Sequence, residues 1–166
     1  MIFMEFLDVV NDEDEVIAYA SIRDIYLKKL PYRFVHILVF NDKGELALTK
    51  KEEKDGAGAG WCSAVSGHVL QKESYKDAAK RKCKEELGFE PELEEVKKEV
   101  YAMPDGSKKF LTVFRTELKD LSQISGKKNN LEFFSLDRIK EQSNAGEKFH
   151  PELLFLLKSI LDLIFT

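Results

Sequence analysis

The stretch Gly67–Phe89, GHVLQKESYKDAAKRKCKEELGF, decides the fold because it predicts a loop that leads directly into one helix. Ser74, with Asp77 three residues later, is an N-cap followed by an acid at the third helical position. Good helix formers follow without a proline, and Gly88 stands where a left-handed C-cap would end the helix. The stretch therefore predicts a helix over Tyr75–Leu87.

Two adjacent glutamates lie along one edge of this predicted helix. Ala79, Cys83 and Leu87 form an apolar stripe at about 100° per residue. Glu86 falls at the margin of this inward-facing side, and Glu85 lies roughly a quarter turn further round. Both carboxylates therefore diverge from one edge toward the preceding loop. Two carboxylates and a loop carbonyl suit a hard cation such as Mg²⁺, which takes oxygen ligands and keeps waters or phosphate oxygens in its shell.

The same charges have a second interpretation, which is a set of ion pairs on a solvated helix. Arg81 and Glu85 are four residues apart. Lys82 and Glu86 have the same spacing, and each such pair contributes about 0.2–0.5 kcal/mol on an exposed helix. Charged helix faces are usually solvated. Helix chemistry alone leaves both interpretations open.

The spacing of the whole stretch resembles the signature of the Nudix hydrolases, G-x5-E-x7-R-E-U-x-E-E-x-G-U, where U is a bulky apolar residue. Many spaced identities make a strong signal, unlike a lone glycine pair. The flanking segments LPYRFVHILVFNDKGELALTKK and GWCSAVSGHV are similar to the Nudix branch nearest isopentenyl-diphosphate isomerase, and the resemblance covers most of residues 5–90. The matching positions are Gly67, Glu73, Arg81, Glu85, Glu86, Gly88 and Phe89.

The resemblance implies a role for the matching residues. It implies that Glu85 and Glu86 bind Mg²⁺ or Mn²⁺ and that the carbonyl of Gly67 assists. Glu73 and Arg81 resemble the acid and base that brace the loop against the helix. The catalytic residues implied are Glu85, Glu86 and Arg81, the metal ligands are Glu85, Glu86 and Gly67, and the structural positions of the box are Glu73 and Gly88.

One position departs from the family pattern. Lys82 follows the arginine, where the family has a glutamate that is often a metal ligand or the base that activates water. With a cation one turn before Glu86 and one carboxylate fewer, the site is expected to hold metal less tightly and to be a weak catalyst. Three alternatives stay open: the base comes from elsewhere, the helix serves another chemistry, or the protein binds diphosphates without cleaving them. After Asp120 the nearest acid is Glu132, which does not identify a replacement base.

An isomerase is the other enzyme to consider, because isopentenyl-diphosphate isomerases also carry a basic residue at the position of Lys82. That enzyme relies on a cysteine just before its glycine-histidine pair and on several histidine ligands to metal. Here Ser66 takes the cysteine position, and of the histidines His68 alone falls in place, with Tyr32 where relatives often carry histidine. Neither a protonating thiol nor a three-histidine cage can be assembled, which disfavours the isomerase.

Basic residues beside the loop are candidate phosphate ligands. Lys51 and Lys54 follow a predicted strand, at positions where the isomerase-like branch places Arg or Lys near a diphosphate. Lysine binds phosphate as a point charge. The run KKEEK alternates in sign, however, so a solvated segment is the simpler interpretation. His68 is a further candidate for phosphate or metal, with a structural role as the simpler interpretation.

Composition indicates one cytoplasmic enzyme domain over residues 1–166. A chain of 166 residues that is 43% apolar can bury one core. The net charge of -4 gives no basic footprint for nucleic acid. Cys62 and Cys83 are too few and too far apart for a zinc knuckle or a redox pair and are expected in the core. The start MIFMEFLD has neither the basic residues nor the long apolar run of a signal peptide.

The order of elements predicts a mixed sheet between helices, an α/β/α sandwich, which is also the fold that the Nudix resemblance implies. The apolar helix predicted for residues 150–165 is too short for a bilayer span, so we expect it to pack in the core, with a homodimer face as the alternative. The other predicted elements are a hairpin and short helix within residues 1–30 and a hairpin of Tyr32–Phe40 with Glu45–Lys50. A strand followed by a loop is predicted over Trp61–Leu70, and further strands at Leu93–Tyr101, Lys109–Glu117 and Leu131–Ser135.

These observations lead to one functional hypothesis. We expect a Nudix α/β fold with Mg²⁺ or Mn²⁺ as the cofactor. The expected activity is cleavage of the diphosphate bond in a nucleoside diphosphate linked to another moiety. The expected partner is a small-molecule diphosphate, without nucleic acid or membrane. A diphosphate-binding protein with attenuated catalysis is the main alternative.

Overall fold

A computed structural model describes residues 5–51, 60–119, 121–124 and 130–160 of the chain. In these parts the chain forms one sheet and the helices that pack against it. The elements are β1 (Phe6–Val10), β2 (Val16–Ser21), α1 (Ile22–Lys28), β3 (Tyr32–Phe40), β4 (Leu46–Lys51), β5 (Gly60–Ser63), β6 (Val65–His68), α2 (Tyr75–Leu87), β7 (Glu94–Ala102), β8 (Lys108–Glu117), a 3₁₀ turn (Leu121–Gln123), β9 (Leu131–Phe134), α3 (Leu136–Asn144) and α4 (Pro151–Ile160).

Strand β3 is the centre of a mixed sheet. It pairs in parallel with β8 from Tyr32 to Phe40, and it pairs antiparallel with β6 over Phe34–Ile37. Strands β1 and β2 continue the sheet on one side, β4, β5 and β9 on another, and β7 lies outside β8. A parallel pair needs a crossover connection, and the chain between β3 and β8 contains α2.

The two faces of the sheet carry separate cores. Val35, Ile37 and Val39 of β3 are buried in a cluster with the apolar side of α2. Leu38, which points the other way, lies in a second cluster with residues of α3 and α4. The sheet is therefore sandwiched between α2 and the α3–α4 pair, so the predicted α/β/α sandwich with a mixed sheet is confirmed. The two cysteines, Cys62 and Cys83, are both buried, as predicted.

The N-terminal strand pair and the short helix also form as predicted. β1 and β2 pair antiparallel, and the hydroxyl of Ser21 caps α1 by accepting a hydrogen bond from the backbone N–H of Asp24 at 3.1 Å. Leu7 and Ile25 bury their side chains against Tyr32 in a third, smaller core cluster. This cluster joins the N-terminal elements to the start of β3.

The predicted hairpin of β3 and β4 forms, with the expected turn and antiparallel pairing, but the paired part is short. Gly44 has a φ of +73°, and the side-chain oxygen of Asn41 accepts from the backbone N–H of Glu45 at 2.9 Å. In the described residues, however, the two strands pair at Phe40 and Leu46 alone. β6 and β8 occupy the edges of β3, and β4 pairs with β5 and β9. A strand that is apolar on both faces is buried in the centre of a sheet. Most of the length of β3 therefore pairs with β6 and β8, which are distant in sequence, and not with β4.

Helix α3 was not among the predicted elements. It begins after Ser135, whose hydroxyl accepts from the backbone N–H of Arg138 at 3.1 Å. Ile139 is its buried residue. The segment is short, with Leu136 and Ile139 as its apolar residues three positions apart, and the N-cap serine was the other available signal.

Helix α4 begins at Pro151, as predicted, and is described as far as Ile160. The predicted continuation to residue 165 lies outside the described residues. Leu153, Leu156 and Leu157 are buried in the core beneath the sheet, which is the core packing expected of this apolar segment. None of the helices in the described parts of the chain has the length and apolar character needed to span a bilayer.

Candidate active site

Helix α2 starts and ends at the residues that its capping signals predict. The hydroxyl of Ser74 accepts from the backbone N–H of Asp77 at 3.1 Å. Gly88 takes a left-handed φ of 70°, and its N–H donates to the carbonyl oxygens of Cys83 and Lys84 at 3.1 and 3.0 Å. Burial, with a further contribution from the nearby carboxylate of residue 86, raises the pKa of the Cys83 thiol to about 12. The thiol is therefore a core group without nucleophilic character at neutral pH.

The turn between β1 and β2 holds the start of α2. The Tyr75 hydroxyl donates to Asp14 Oδ2 at 2.9 Å, and Arg33 Nε donates to Asp14 Oδ1 at 2.8 Å. Burial, followed by the charge of Asp14, raises the pKa of Tyr75, so its hydroxyl stays protonated as the donor. The N-terminal hairpin thereby positions a helix that lies about sixty residues later in the chain.

The loop between β6 and α2 is fixed by strand β1. The backbone N–H of Gln71 donates to the carbonyl of Phe6 at 2.8 Å. The N–H of Lys72 donates to the buried carboxylate of Asp8 at 3.0 Å, and Lys72 itself has a left-handed φ of 67°. These contacts define the path of the loop independently of the helix that follows it.

Glu73 and Arg81 connect this loop to α2 by a bidentate ion pair. Arg81 Nε donates to Glu73 Oε2 at 2.8 Å, and Nη2 donates to Glu73 Oε1 at 3.0 Å and to the carbonyl of His68 at 2.9 Å. Burial alone would raise the pKa of Glu73, but hydrogen bonds from Arg81 and from the N–H of Leu70 hold it below its ordinary value. The hydrogen bond to Glu73 in turn raises the pKa of Arg81. Both groups are charged, as a brace between loop and helix requires.

The carboxylates of Glu85 and Glu86 converge on one ammonium group. Lys82 Nζ lies 3.5 Å from Glu85 Oε2 and 3.6 Å from Glu86 Oε1. Arg81 Nη1 lies 3.3 Å from Glu85 Oε1. Both i,i+4 pairs expected from the sequence are therefore present. The same geometry shows that the two carboxylates can face a single cation.

Gly67 makes room for the side chain of that lysine. Gly67 is buried in β6, and a Cβ built on it would lie 2.5 Å from Cε and 2.7 Å from Cδ of Lys82. Any larger residue would meet the lysine stem, which crosses directly over the glycine. The stem is consequently held between β6 and α2, and the exposed fraction of the Lys82 side chain is 20%.

We expect Gly67→Ala to displace Lys82 rather than to distort β6, because the overlap is with a flexible side chain. The substitution should lower the free energy of unfolding by about 1 kcal/mol or less, since the lysine side chain moves aside and loses its partly exposed ion pairs. In a Lys82→Ala background most of this cost should disappear, since the methyl group then meets empty space. A double-mutant cycle by urea denaturation measures the coupling, and an equal cost in both backgrounds would contradict the contact.

The oxygen donors at this edge of α2 fit a divalent ion such as Mg²⁺ or Mn²⁺. Glu85 and Glu86 carry carboxylates, and β6 carries the backbone carbonyl of Gly67; both are the type of oxygen group that a hard cation prefers. Mg²⁺ usually binds through one or two carboxylates and completes its shell with water and substrate phosphate. In the ranges that the structure describes, no group of three or more His, Cys, Asp or Glu side chains has the arrangement of a metal site.

The candidate phosphate ligands lie on another part of the sheet. Lys51 is exposed at the end of β4, where it pairs with Gly60 of β5. Its neighbour Lys50 donates to Glu147 at 3.1 Å. Lys54 lies outside the described residues. Helix α2 packs chiefly on β6 and β3, so these lysines do not belong to the cluster around the glutamates.

His68 is packed among aromatic rings. Its Nε2 lies 2.5 Å from the Tyr26 hydroxyl, and its ring centroid lies 5.6 Å from that of Tyr32 and 5.4 Å from that of Phe34. Burial, followed by the positive charge of Lys109, lowers the pKa of His68 to about 4. The ring is neutral at pH 7, which favours the structural role over that of a cationic phosphate ligand.

A buried polar network on the α4 side of the sheet was not predicted. Ser63 Oγ donates to His36 Nδ1 at 2.8 Å, His36 Nε2 donates to Glu152 Oε2 at 2.5 Å, and Lys109 Nζ donates to Glu152 Oε1 at 2.7 Å. This assignment uses the neutral tautomer of His36, whose pKa is lowered by burial. Burial would raise the pKa of Glu152, but His36 and Lys109 hold it at about 2.

The order serine, histidine, carboxylate in this network is that of a nucleophilic triad. Each of the three side chains is more than nine-tenths buried, because they lie where α4 packs on β3 and β5. A substrate cannot reach a serine in that position, so the network is structural. Two signals in the sequence could have revealed it: His36 inside an apolar strand and Glu152 inside an apolar helix.

The sequence is similar to that of known proteins over most of its length. The NUDIX domain profile matches residues 30–157. An uncharacterized Nudix hydrolase of Listeria innocua is 28% identical over 164 residues, which cover 96% of this chain and 95% of that protein. Isopentenyl-diphosphate Delta-isomerase 2 of Photorhabdus laumondii is 35% identical over 98 residues, which cover 58% of this chain and 55% of the isomerase. The match to the isomerase is therefore partial.

Solved structures show the same fold. DR0079 from Deinococcus radiodurans superposes with a TM-score of 0.73 at 23% identity, covering 94% of this chain and 99% of that one. A MutT protein from Methanosarcina mazei superposes with a TM-score of 0.59 at 20% identity, covering 81% and 92%. At such identities the likeness concerns the fold, which is the mixed sheet between helices described above.

Proposed function

The chain belongs to the Nudix family, and from this membership we propose that it is a Mg²⁺- or Mn²⁺-dependent hydrolase of phosphoric anhydrides. Its substrate class is a nucleoside diphosphate linked to another moiety, and the reaction cleaves the diphosphate bond. One observation carries this proposal. Glu85 and Glu86 present oxygens to a common cation beside Gly67, at the edge of a helix that is braced against its loop.

The proposed roles follow from these positions. Glu85, Glu86 and the Gly67 carbonyl would hold the ion, which would polarise a phosphoryl oxygen and activate water for attack on phosphorus. Arg81 keeps the loop and the helix in register through Glu73, and its third contact, to Glu85, restrains the orientation of that carboxylate. Precise positioning of charged groups is the main contribution of a protein to phosphoryl transfer.

Additional positive charge for the substrate, at a distance from the two carboxylates, is proposed to come from lysines outside the box. Lys51 is exposed at the end of β4, and Lys54 follows it in the sequence. Lysine ammonium groups bind phosphate as point charges on flexible stems, so they tolerate different substrates. We further propose a single domain over residues 1–166 that acts in the cytoplasm on small molecules.

A diphosphate-binding protein with attenuated catalysis is the second candidate. The observation in its favour is Lys82, whose ammonium occupies the space between the two carboxylates. An isomerase receives less support, because Ser66 replaces the required thiol and both ring nitrogens of His36 are engaged by Ser63 and Glu152.

The test is a substrate panel with purified protein. Nucleoside diphosphate sugars and dinucleoside polyphosphates are incubated with Mg²⁺, with Mn²⁺ or with a chelator, and nucleoside monophosphate is measured by chromatography. We expect release that depends on metal and stops with the chelator. Binding of these compounds without turnover would support the binding protein, and proton exchange into isopentenyl diphosphate would support the isomerase. Either result would replace the hydrolase proposal.

A further inference from the structure

Lys82 occupies the position that a divalent ion needs. Its ammonium lies 3.5 Å from a Glu85 oxygen and 3.6 Å from a Glu86 oxygen, so one side chain neutralises both proposed ligands. The position of the lysine is defined by packing as well as by charge, because its stem lies over Gly67, where a larger residue would leave no space for it. The chain thus supplies a cation of its own to the two carboxylates.

We propose that Lys82 is an exchangeable counter-cation that couples metal binding to diphosphate binding. The ammonium holds Glu85 and Glu86 in the metal-free protein, gives up their oxygens when a divalent ion arrives, and then binds an oxygen of the diphosphate. This inference rests on the proposed function and adds the regulation of that same site. It assigns a role to the residue that replaces the family glutamate.

Electrostatics requires the exchange. An ammonium and a divalent ion that share the same carboxylate oxygens repel each other strongly at distances near 4 Å. Arg81 Nη1 donates to both oxygens of Glu85, at 3.3 and 3.5 Å, and so restrains that carboxylate. The four-carbon stem of Lys82 can turn, and its terminal atoms reach a site that is partly open to solvent. The lysine is therefore the group that moves.

The displaced ammonium needs a new anion. The metal-free cluster is close to electrical balance, since the carboxylates of Glu73, Glu85 and Glu86 face the cations of Arg81 and Lys82. A divalent ion makes this cluster positive. A diphosphate bound to the ion brings the missing negative charge within reach of the lysine, and an ammonium–phosphate contact is a strong charge-assisted hydrogen bond.

Exchange of the Lys82 ammonium couples metal binding to diphosphate binding in both directions. Metal alone binds weakly because it displaces the Lys82 ammonium from the carboxylates and no other anion replaces them. Metal with diphosphate binds tightly because the ammonium then binds a diphosphate oxygen. By linkage, metal raises diphosphate affinity by the same factor. A protein with a neutral residue at position 82 should bind metal more tightly on its own and should show less coupling.

Mn²⁺ titration tests this inference directly. Free Mn²⁺ is counted by electron paramagnetic resonance for the wild type and for Lys82→Met, with and without methylenediphosphonate, and the solution complex of Mn²⁺ with the diphosphonate is measured separately. Methionine keeps an unbranched stem over Gly67 and is a good helix former, so it removes the charge with little change in packing. Lys82→Gln serves as a second variant, and circular dichroism verifies that each variant folds.

We expect Lys82→Met to bind Mn²⁺ alone at least about tenfold more tightly than the wild type. The factor by which the diphosphonate improves Mn²⁺ affinity should be at least about fivefold larger in the wild type than in the variant. Lys84→Met is the matched control, because Lys84 lies on the same helix, is largely exposed and pairs with Glu90. It removes the same charge and should change Mn²⁺ affinity by less than about twofold.

The titration distinguishes failure of the Lys82 exchange from failure of the proposed hydrolase function. Binding of Mn²⁺ with equal affinity to the wild type and Lys82→Met would overturn the exchange and leave the hydrolase proposal intact. Tighter binding to the variant with an unchanged coupling factor would overturn the transfer of the ammonium to phosphate. No Mn²⁺ binding to either folded protein, with or without diphosphonate, would overturn the proposed function and this inference together.

Discussion

Glu86→Gln is expected to reduce metal-dependent hydrolysis of a diphosphate substrate by about a hundredfold or more, which corresponds to ~2.7 kcal/mol or more of transition-state stabilisation. Glutamine retains the size of the side chain and a carbonyl oxygen but loses the charge that a hard cation requires. Glu86 has no close substitute in the cluster, because Glu85 is already bound by Arg81 and is more exposed.

The measurement is kcat/KM for a substrate found with the panel, at an Mn²⁺ concentration that saturates the wild type. Glu90→Gln is the matched control, since Glu90 follows the same helix, is largely exposed and pairs with Lys84. It changes the net charge equally and should leave kcat/KM within about twofold. Full activity of a folded Glu86→Gln protein would show that this carboxylate does not hold the ion.

Glu152→Gln is expected to lower the free energy of unfolding by about 3–5 kcal/mol, because it leaves a buried cation without its partner. Lys109 is 8% exposed and donates to Glu152 at 2.7 Å, and His36 donates to the other carboxylate oxygen. An amide has nearly the same shape, so the loss reports charge rather than packing. Urea denaturation at neutral pH measures it.

The double variant Glu152→Gln with Lys109→Met controls for this interpretation. Removing both charges leaves no unpaired ion, and such replacements of buried pairs are often close to neutral. We therefore expect the second substitution to restore most of the lost stability. The exposed pair of Lys50 and Glu147 offers a surface comparison, for which Glu147→Gln should change stability little. Losses that simply add in the double variant would argue against a coupled ion pair.

Acid pH should reduce the difference in free energy of unfolding between the wild type and Glu152→Gln. The pKa of Glu152 falls from 4.5 to about 2 on folding, so its contribution is complete above 4.5 and is lost as the pH falls toward 2. In that window the unfolded chain binds a proton that the folded protein does not. Burial lowers the pKa of His36, which makes the fold less stable below the ordinary histidine pKa, and the contact with Glu152 opposes this lowering in the wild type. Denaturation curves at several pH values check the window, and a constant difference down to pH 2 would contradict it.

Helix α2 and the brace could be predicted because their signals are local or have a fixed spacing. Ser74 and Gly88 determine the ends of the helix through hydrogen bonds to backbone groups within a few residues. The brace between Glu73 and Arg81 was implied by the resemblance of the motif, whose spacing is fixed, to the Nudix signature. The α/β/α layers were predicted from the order of strands and helices, and both faces of β3 carry buried apolar residues that contact a helical layer.

Pairing between distant segments could not be predicted in the same way. The turn at Asn41 and Gly44 is encoded locally, but the partners of β3 are β6 and β8, which the local pattern does not specify. Helix α3 was not predicted, because it is short and Ile139 is its one buried residue, which gives a weak signal in the sequence. A weak local signal is decided by the surface against which the segment packs.

The residues alone were enough to place two acids on one helical edge, to mark Lys82 as the exception and to indicate the family, because capping, helical period and motif spacing are properties of short stretches of chain. Tertiary structure decided that the Lys82 stem lies over Gly67 of β6 and that Lys109 and His36 pair with Glu152. Those contacts join strands and helices that are far apart in the chain, and their energies depend on burial, which exists only after the sheet and its two helical layers have packed together.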